Sequence, residues 1–451
     1  MVAILVGFVV RVHMLEPRLA GVENPEQALA LIVGRTMDGQ VALRRAPVWE
    51  QKLYALTLTD ASSEIGQAIA WYEELADESL VPDVDLRLAI LLGEAGRRER
   101  LAHVLAPWPS RGEPLSTYAG VLTGAYLGTE EIETGDVGDT VEALGPGWFA
   151  DALSLRVATR LGEPALAEAA RRDQDSRARV LLTRIRVLAA LDVVLVALGL
   201  LAARALWRRR PWRSAVADAP VPPPWEMSVG LATLVRGAAL AGIVMALLLV
   251  TNHGLVDHPI LSEAIDQPLM YIPLLLLVWR SLLAPAGLGF VRAFGLRPRP
   301  DGWRPWVLAA ALLVGVGIVI DIVLGLLGDR LGLAAHWSEW FDAGLAWGSP
   351  AVVAVTFLGS VVFAPIFEEL IFRGLLYGTL RTRLAWPLAA SASALVFALA
   401  HGYGVAGFLS VFLSGFLWSW VYERTGSLLP SMAAHMVNNL TVALTLTAML
   451  R

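Results

Sequence analysis

Polar and apolar positions divide the chain into two parts of different character. Residues 16–180 carry charges at helical spacing, as in "AWYEELADESL" and "EAARRDQDSRAR", a pattern that predicts amphipathic helices with short loops. From residue 188 onward, charges are confined to short segments between long apolar runs. Several runs approach the ~20 residues that a helix needs to cross a bilayer. The pattern therefore predicts an all-α protein, a polytopic transmembrane helical bundle preceded by a soluble helical domain.

Two segments of the first part resemble each other. "LRLAILLGE" from Leu86 and "LRVATRLGE" from Leu155 agree at six of nine positions. Each precedes a second helical pattern rich in Ala and Arg, as in stacked helical hairpins. We therefore predict a helical-hairpin domain over residues 16–180, with a weak similarity to tetratricopeptide-type repeats. Chance similarity between amphipathic helices remains the alternative.

The apolar runs predict eight membrane spans. The first covers 188–207 and is followed by a Pro-rich linker at 208–227. The region 228–451 holds the others, near 228–252, 267–284, 305–328, 349–372, 384–401, 405–422 and 428–450. Residues 1–15 are apolar but short, and we interpret them as a signal anchor or a truncated first transmembrane helix.

The charges between the spans predict an orientation. "RRRPWR" at 208–213 is basic, as are 292–304 and 373–383, so these segments are expected in the cytoplasm. The helical-hairpin domain is then expected outside, where a concave helical surface could bind a protein partner.

Lys52 is the single lysine among 36 basic residues, a bias typical of GC-rich bacterial genomes. We therefore expect a multi-pass protein of a bacterial plasma membrane.

Composition excludes several classes of function. The net charge is −5 and no basic stretch follows a phosphate backbone, so nucleic-acid binding is not expected. The chain has no cysteine, which excludes disulfides, thiolate zinc sites and cysteine nucleophiles. Any catalytic or binding site must therefore be built from other polar residues.

Three groups of polar residues interrupt the apolar spans. "EELIFR" places Glu368, Glu369 and Arg373 at the end of an uncharged run. Glu369 and Arg373 are one helical turn apart and can pair. A charged group in the bilayer costs about 2.5–3.5 kcal/mol and is a functional candidate by default. The alternative is a helix end whose charged side chains reach the membrane surface.

The other two groups contain histidine. "FALAH" places Phe397 one turn before His401, and "HMVNN" places His435 one turn before Asn439. Each could be an interhelical hydrogen-bonding group without a catalytic role. Three such groups on three spans, all able to face one interior, favour a common site.

The ordered motifs resemble those of the CPBP family, the CAAX prenyl endopeptidase-like and bacteriocin-processing intramembrane proteases also called Abi. Glu-Glu-x-x-x-Arg, Phe-x-x-x-His and His-x-x-x-Asn occur in that order without a departure, and the resemblance covers roughly 228–451. It implies an intramembrane endopeptidase that acts on a membrane-associated or prenyl-like substrate.

The resemblance also implies roles for the matching residues. Glu368 and His401 would hold and deprotonate a water, while His435 and Asn439 would stabilise the oxyanion. Glu369, paired with Arg373, would support the site from behind, together with Phe397. No cofactor is required by this scheme.

Two alternatives remain open from the residues. Glu368, Glu369, His401 and His435 could instead ligate zinc, although neither HExxH nor a cysteine pair occurs. A non-catalytic scaffold, immunity factor or transporter could use the same buried groups, with Arg236, Arg280 and Asp321 adding polar groups to other spans. No inverted repeat is evident in the membrane region, as common transporter plans would require.

Overall fold

The computed structural model describes residues 19, 21–54, 61–128, 132–208, 216–251, 259–333 and 335–451. Over these residues the chain is helical and contains no β-strand, which confirms the predicted fold class. The chain divides into two compact units, mainly Arg18–Leu188 and Ala189–Met449. The apolar segment interpreted as an anchor at 1–15 lies outside the described residues.

The first unit is an array of helices packed pairwise in chain order. Its helices are α1 (Pro25–Arg45), α2 (Val48–Tyr54), α3 (Ala61–Glu78), α4 (Pro82–Glu94), α5 (Arg98–Leu105), α6 (Leu115–Leu122), α7 (Thr134–Leu144), α8 (Trp148–Leu161) and the first part of α9 (Pro164–Arg208). Their apolar faces form a core that buries, among others, Leu29, Tyr72, Leu86, Ile90 and Leu153. The tetratricopeptide-like pattern stays a prediction.

The two similar segments form helices α4 and α8, which pack against each other. Their Gly-Glu pairs nevertheless differ in structure. Gly93 lies inside α4, where a side chain would collide with the ring of Tyr126, whereas Gly162 ends α8 in the left-handed conformation with φ 70°. The sequence similarity therefore corresponds to two helices, but the matching glycine lies within α4 and at the C-terminus of α8.

The second unit contains the membrane spans. Its helices after α9 are α10 (Met227–Thr251), α11 (Pro259–Val278), α12 (Phe290–Ala293), α13 (Trp303–Leu331), α14 (Ala343–Trp347), α15 (Pro350–Arg381), α16 (Trp386–Leu399), α17 (Val405–Thr425) and α18 (Leu429–Leu450). Among the described residues, six helices are long and apolar enough to cross a membrane. Two further apolar helices are shorter, at Tyr271–Leu283 and Trp386–Leu399. Together they correspond to the eight predicted spans.

Two boundaries differ from the sequence expectation. Helix α9 runs without a break from Pro164 to Arg208, so the predicted domain boundary falls inside one helix. Helix α15 continues to Arg381, so the segment 373–383 is mostly helix and not the predicted loop. It continues because Leu375 and Tyr377 are buried and Arg381 pairs with Glu423 at 2.9 Å.

The described part of the Pro-rich linker is packed against the bundle. The backbone of Val216 donates to the carbonyl of Thr425 at 2.8 Å, and Ala219 donates to Gly426 at 3.2 Å. Trp225 then donates from Nε1 to Thr379 Oγ1 at 3.0 Å, in a buried contact at the end of α15. These residues therefore form part of the folded unit.

The polar residues outside the three motifs have structural explanations. Asp321 on α13 accepts a hydrogen bond from the hydroxyl of Ser410 on α17, which joins two spans. Arg236 and Arg280 are exposed. Asp321 thus has a partner on another span, and the two arginines lie at the surface of the described structure.

Candidate active site

The two adjacent glutamates of α15 have different surroundings. The side chain of Glu369 is fully buried, whereas that of Glu368 is 17% exposed. Helix α15 changes at this point from α-helical turns, which end at Glu368, to a π-helical stretch over Glu369–Tyr377. Helix geometry turns consecutive side chains by ~100°, so one carboxylate faces the packed interior and the other faces the accessible side.

Arg373 is the cationic partner of Glu369. Its Nη1 lies 2.9 Å from Glu369 Oε1, and both side chains are fully buried. The guanidinium lies against two aromatic rings, 4.0 Å from the centroid of Phe397 and 4.8 Å from that of Trp418. Cation–π contacts of this kind are worth about 2 kcal/mol when desolvated. The alternative of charged side chains reaching the membrane surface is therefore wrong for this pair.

A glycine on α17 makes room for this cation. A Cβ at Gly415 would lie 2.6 Å from Arg373 Nη2 and 3.2 Å from the ring of Phe397. We expect Gly415→Ala to displace the guanidinium and to lower both the melting temperature and the activity. The control is Gly317→Ala on α13, where a Cβ would meet no atom within 4 Å. Equal melting temperatures for the two variants would contradict this packing argument.

His435 on α18 lies between the carboxylates. Its Nδ1 is 3.3 Å from Glu369 Oε1, and its Nε2 is 3.7 Å from Glu368 Oε2. The imidazole stacks on Trp418 with a centroid distance of 4.3 Å and an interplanar angle of 29°. The ring is therefore held by packing on one face and by Glu369 at Nδ1, while Glu368 lies beyond hydrogen-bond distance of Nε2.

His401 follows the end of the short helix α16. With 14 residues, α16 is about 21 Å long, less than the ~30 Å hydrocarbon core. The Nδ1 atom of His401 lies 2.7 Å from the carbonyl oxygen of Phe397. A carbonyl can only accept, so Nδ1 carries the hydrogen and Nε2 keeps its lone pair. His401 is thus prepared to accept a hydrogen bond, and it lies within electrostatic range of Glu368.

Asn439 lies one turn beyond His435 on α18. Its Nδ2 donates to the carbonyl oxygen of Ser360 on α15 at 2.8 Å. An amide nitrogen carries two hydrogens, so this bond leaves one available to another acceptor. The structure therefore brings Arg373, His401 and His435 against Phe397, with both glutamates near His435 and Asn439 one turn further along α18.

Sequence reasoning missed the contribution of α17. Trp418 contacts both Arg373 and His435, and Gly415 accommodates the guanidinium. Both belong to "SGFLWSW", which has no charge and matches none of the three motifs. An aromatic residue one turn after a glycine in a span carries no chemical signal without knowledge of its neighbours.

The donor set does not fit a zinc site. Glu369 is engaged by Arg373, and a cation next to a buried guanidinium is disfavoured by charge repulsion. Across the described ranges, no group of three or more His, Cys, Asp or Glu side chains converges as metal ligands. We derive no catalytic step through a metal.

Comparison with known proteins places the chain in a family. Residues 350–441 match the model of a family described as Type II CAAX prenyl endopeptidase Rce1-like, and this range contains all the motif residues. An uncharacterized 24.3 kDa protein of Escherichia coli is 31% identical over 173 residues, which are 37% of this chain and 72% of that protein. No solved structure matches the chain.

The chain is therefore a multi-pass membrane protein of the CAAX protease (CPBP) family, as its motifs predicted. Membership supports intramembrane endopeptidase activity in general.

Proposed function

We propose that the protein cleaves a peptide bond of a membrane-associated substrate, using a water activated by Glu368 and His401. The observation that carries this proposal is the division of roles between the two carboxylates. Glu369 is committed to Arg373 and His435, whereas Glu368 is partly exposed and makes no hydrogen bond to the described residues. A carboxylate that remains accessible inside an apolar bundle is suited to act as a general base.

The chemistry follows from the protonation of each group. A water donates one hydrogen to Glu368 and the other to the free lone pair at Nε2 of His401. As the water oxygen attacks the scissile carbonyl, its proton moves to Glu368, and the carbonyl oxygen becomes an oxyanion. When the carbon–nitrogen bond breaks, the Glu368 proton passes to the leaving amine, which regenerates the carboxylate.

His435 and Asn439 would stabilise the oxyanion. Donation from Nε2 of His435 requires a ring protonated at both nitrogens, with Nδ1–H directed to Glu369. The second N–H of Asn439 supplies another donor, since the first is bound to Ser360. Removal of one such donor commonly costs 10²–10³-fold in rate, about 2.7–4 kcal/mol.

A trapping experiment tests the proposal. We expect Glu368→Gln to bind substrate without cleaving it, so that quantitative mass spectrometry of membranes finds proteins that accumulate with the variant and are shortened with the wild type. The purified wild type should also cleave a quenched farnesyl-cysteine peptide in the presence of a chelator. A chelator-sensitive enzyme that is restored by added zinc would refute the general-base mechanism, and wild-type membranes without any shortened protein would refute the activity.

A further inference from the structure

The helix that carries the carboxylates contains two π-helical stretches. They cover Leu358–Phe363 and Glu369–Tyr377, on either side of Glu368. π-Helical turns are rare and often occur at functional sites. Each such turn holds an extra residue relative to an α-turn, so its position along α15 decides the direction in which the neighbouring side chains point.

A neighbouring helix donates a hydrogen bond to each π stretch. Asn439 on α18 donates to the carbonyl of Ser360 at 2.8 Å, and Ser393 on α16 donates from Oγ to the carbonyl of Phe372 at 2.7 Å. The first donor belongs to a sequence motif. The second does not, and Ser393 is fully buried.

Ser393 differs from the hydroxyl residues that bond within their own helix. A serine or threonine within a helix commonly donates to the carbonyl four residues earlier. Among the described residues of this unit, five do so: Thr233, Thr356, Ser360, Ser419 and Thr425. Ser393 donates instead to a different helix, at the residue next to Arg373. A carbonyl in a widened helical turn is thereby satisfied from outside its own helix.

The far end of the π stretch is anchored separately. Tyr377 donates from its hydroxyl to Glu423 Oε2 at 2.5 Å, and Arg381 binds the same carboxylate at 2.9 Å. With that end held, a shift of the π turn by one residue would rotate the carboxylates by ~100° relative to α16 and α18. The distances from Glu368 to His401 and His435 would then change.

We propose that Ser393 is a positioning residue of the active site, which holds the π turn at Phe372 and so directs Glu368 and Glu369 toward the two histidines. This role rests on the proposed function, in which Glu368 must face His401. A misplacement of about 1 Å at a catalytic group can reduce the rate about 100-fold.

Two substitutions of similar shape isolate the hydroxyl. Ser393→Thr keeps the donor and Ser393→Val removes it, while both add the same branched bulk. We expect the Val variant to lower kcat on the farnesyl-cysteine peptide by about 100-fold at unchanged KM, and the Thr variant to retain most of the activity. Ser391→Ala, a partly buried serine of the same helix, is the control.

Hydrogen–deuterium exchange provides a readout that needs no activity. In the Val variant we expect exchange over Glu369–Tyr377 to accelerate about tenfold relative to the Thr variant, the effect of losing one net hydrogen bond. Equal exchange in the two variants, or faster exchange without a fall in kcat, would overturn the positioning role. A wild type that cleaves nothing while the exchange still differs would instead overturn the proposed function.

Discussion

Glu368→Gln should abolish proteolysis while leaving the protein folded. The amide keeps the shape of the side chain but cannot take a proton from water, and general base catalysis contributes about 10²–10⁴-fold. Because Glu368 makes no ion pair closer than 3.7 Å to any residue that the structure describes, we expect the fold to tolerate the loss of its charge. His401→Ala should have a comparable effect, since it removes the acceptor at Nε2. Cleavage of the farnesyl-cysteine peptide and thermal unfolding in detergent measure the two properties separately.

The matched control for this experiment is Glu226→Gln. Glu226 is an exposed carboxylate of the same unit, and we expect its variant to retain wild-type cleavage. A Glu368→Gln or His401→Ala enzyme that cleaves at the wild-type rate would show that the water-activating pair is assigned wrongly.

Arg373→Gln should cause the largest loss of stability. It leaves the fully buried carboxylate of Glu369 without its guanidinium partner, and breaking a buried ion pair in this way costs about 3–5 kcal/mol. Glu369→Gln should be milder, because the rings of Phe397 and Trp418 still face the guanidinium. Glu369→Gln should therefore reduce activity partially, in contrast to Glu368→Gln. Thermal unfolding of purified protein measures the difference.

A double variant separates stability from catalysis. Glu369→Gln/Arg373→Gln removes both charges, so we expect it to recover much of the stability lost in Arg373→Gln. Its activity should stay low because His435 loses the carboxylate at Nδ1. Arg236→Gln, at an exposed arginine of α10, is the control for loss of a cation. A double variant as unstable as Arg373→Gln would argue against uncompensated charge as the cause.

The sequence predicted the fold class and the family well, because both depend on local patterns of residues. A bilayer requires long apolar helices, which are visible as runs of apolar residues, and six of the described helices are long and apolar enough to cross a membrane. Charged and amide side chains within such runs are costly and therefore conspicuous. The pairing of Glu369 with Arg373 also follows from helical spacing alone, and the structure confirms it at 2.9 Å.

Some features of α15 could not be read from its sequence. The continuation of the helix to Arg381 depends on Glu423, a residue 42 positions away on another helix. The π turns likewise accept hydrogen bonds from Ser393 and Asn439, and the backbone carbonyls that receive them are not marked by any residue type. Backbone groups are the same at every residue, so only their neighbours in space decide which of them receive a partner.

The amino-acid sequence by itself thus determined the fold class, the spans and which side chains are chemically competent, since hydrophobic periodicity and residue type act locally. Tertiary structure decided the surroundings of those side chains. It buries Glu369 against Arg373, leaves Glu368 partly exposed, and adds Trp418 and Gly415 from a helix that carries no motif. The physical reason is that burial and charge pairing depend on side chains from several helices, whose convergence no single segment encodes.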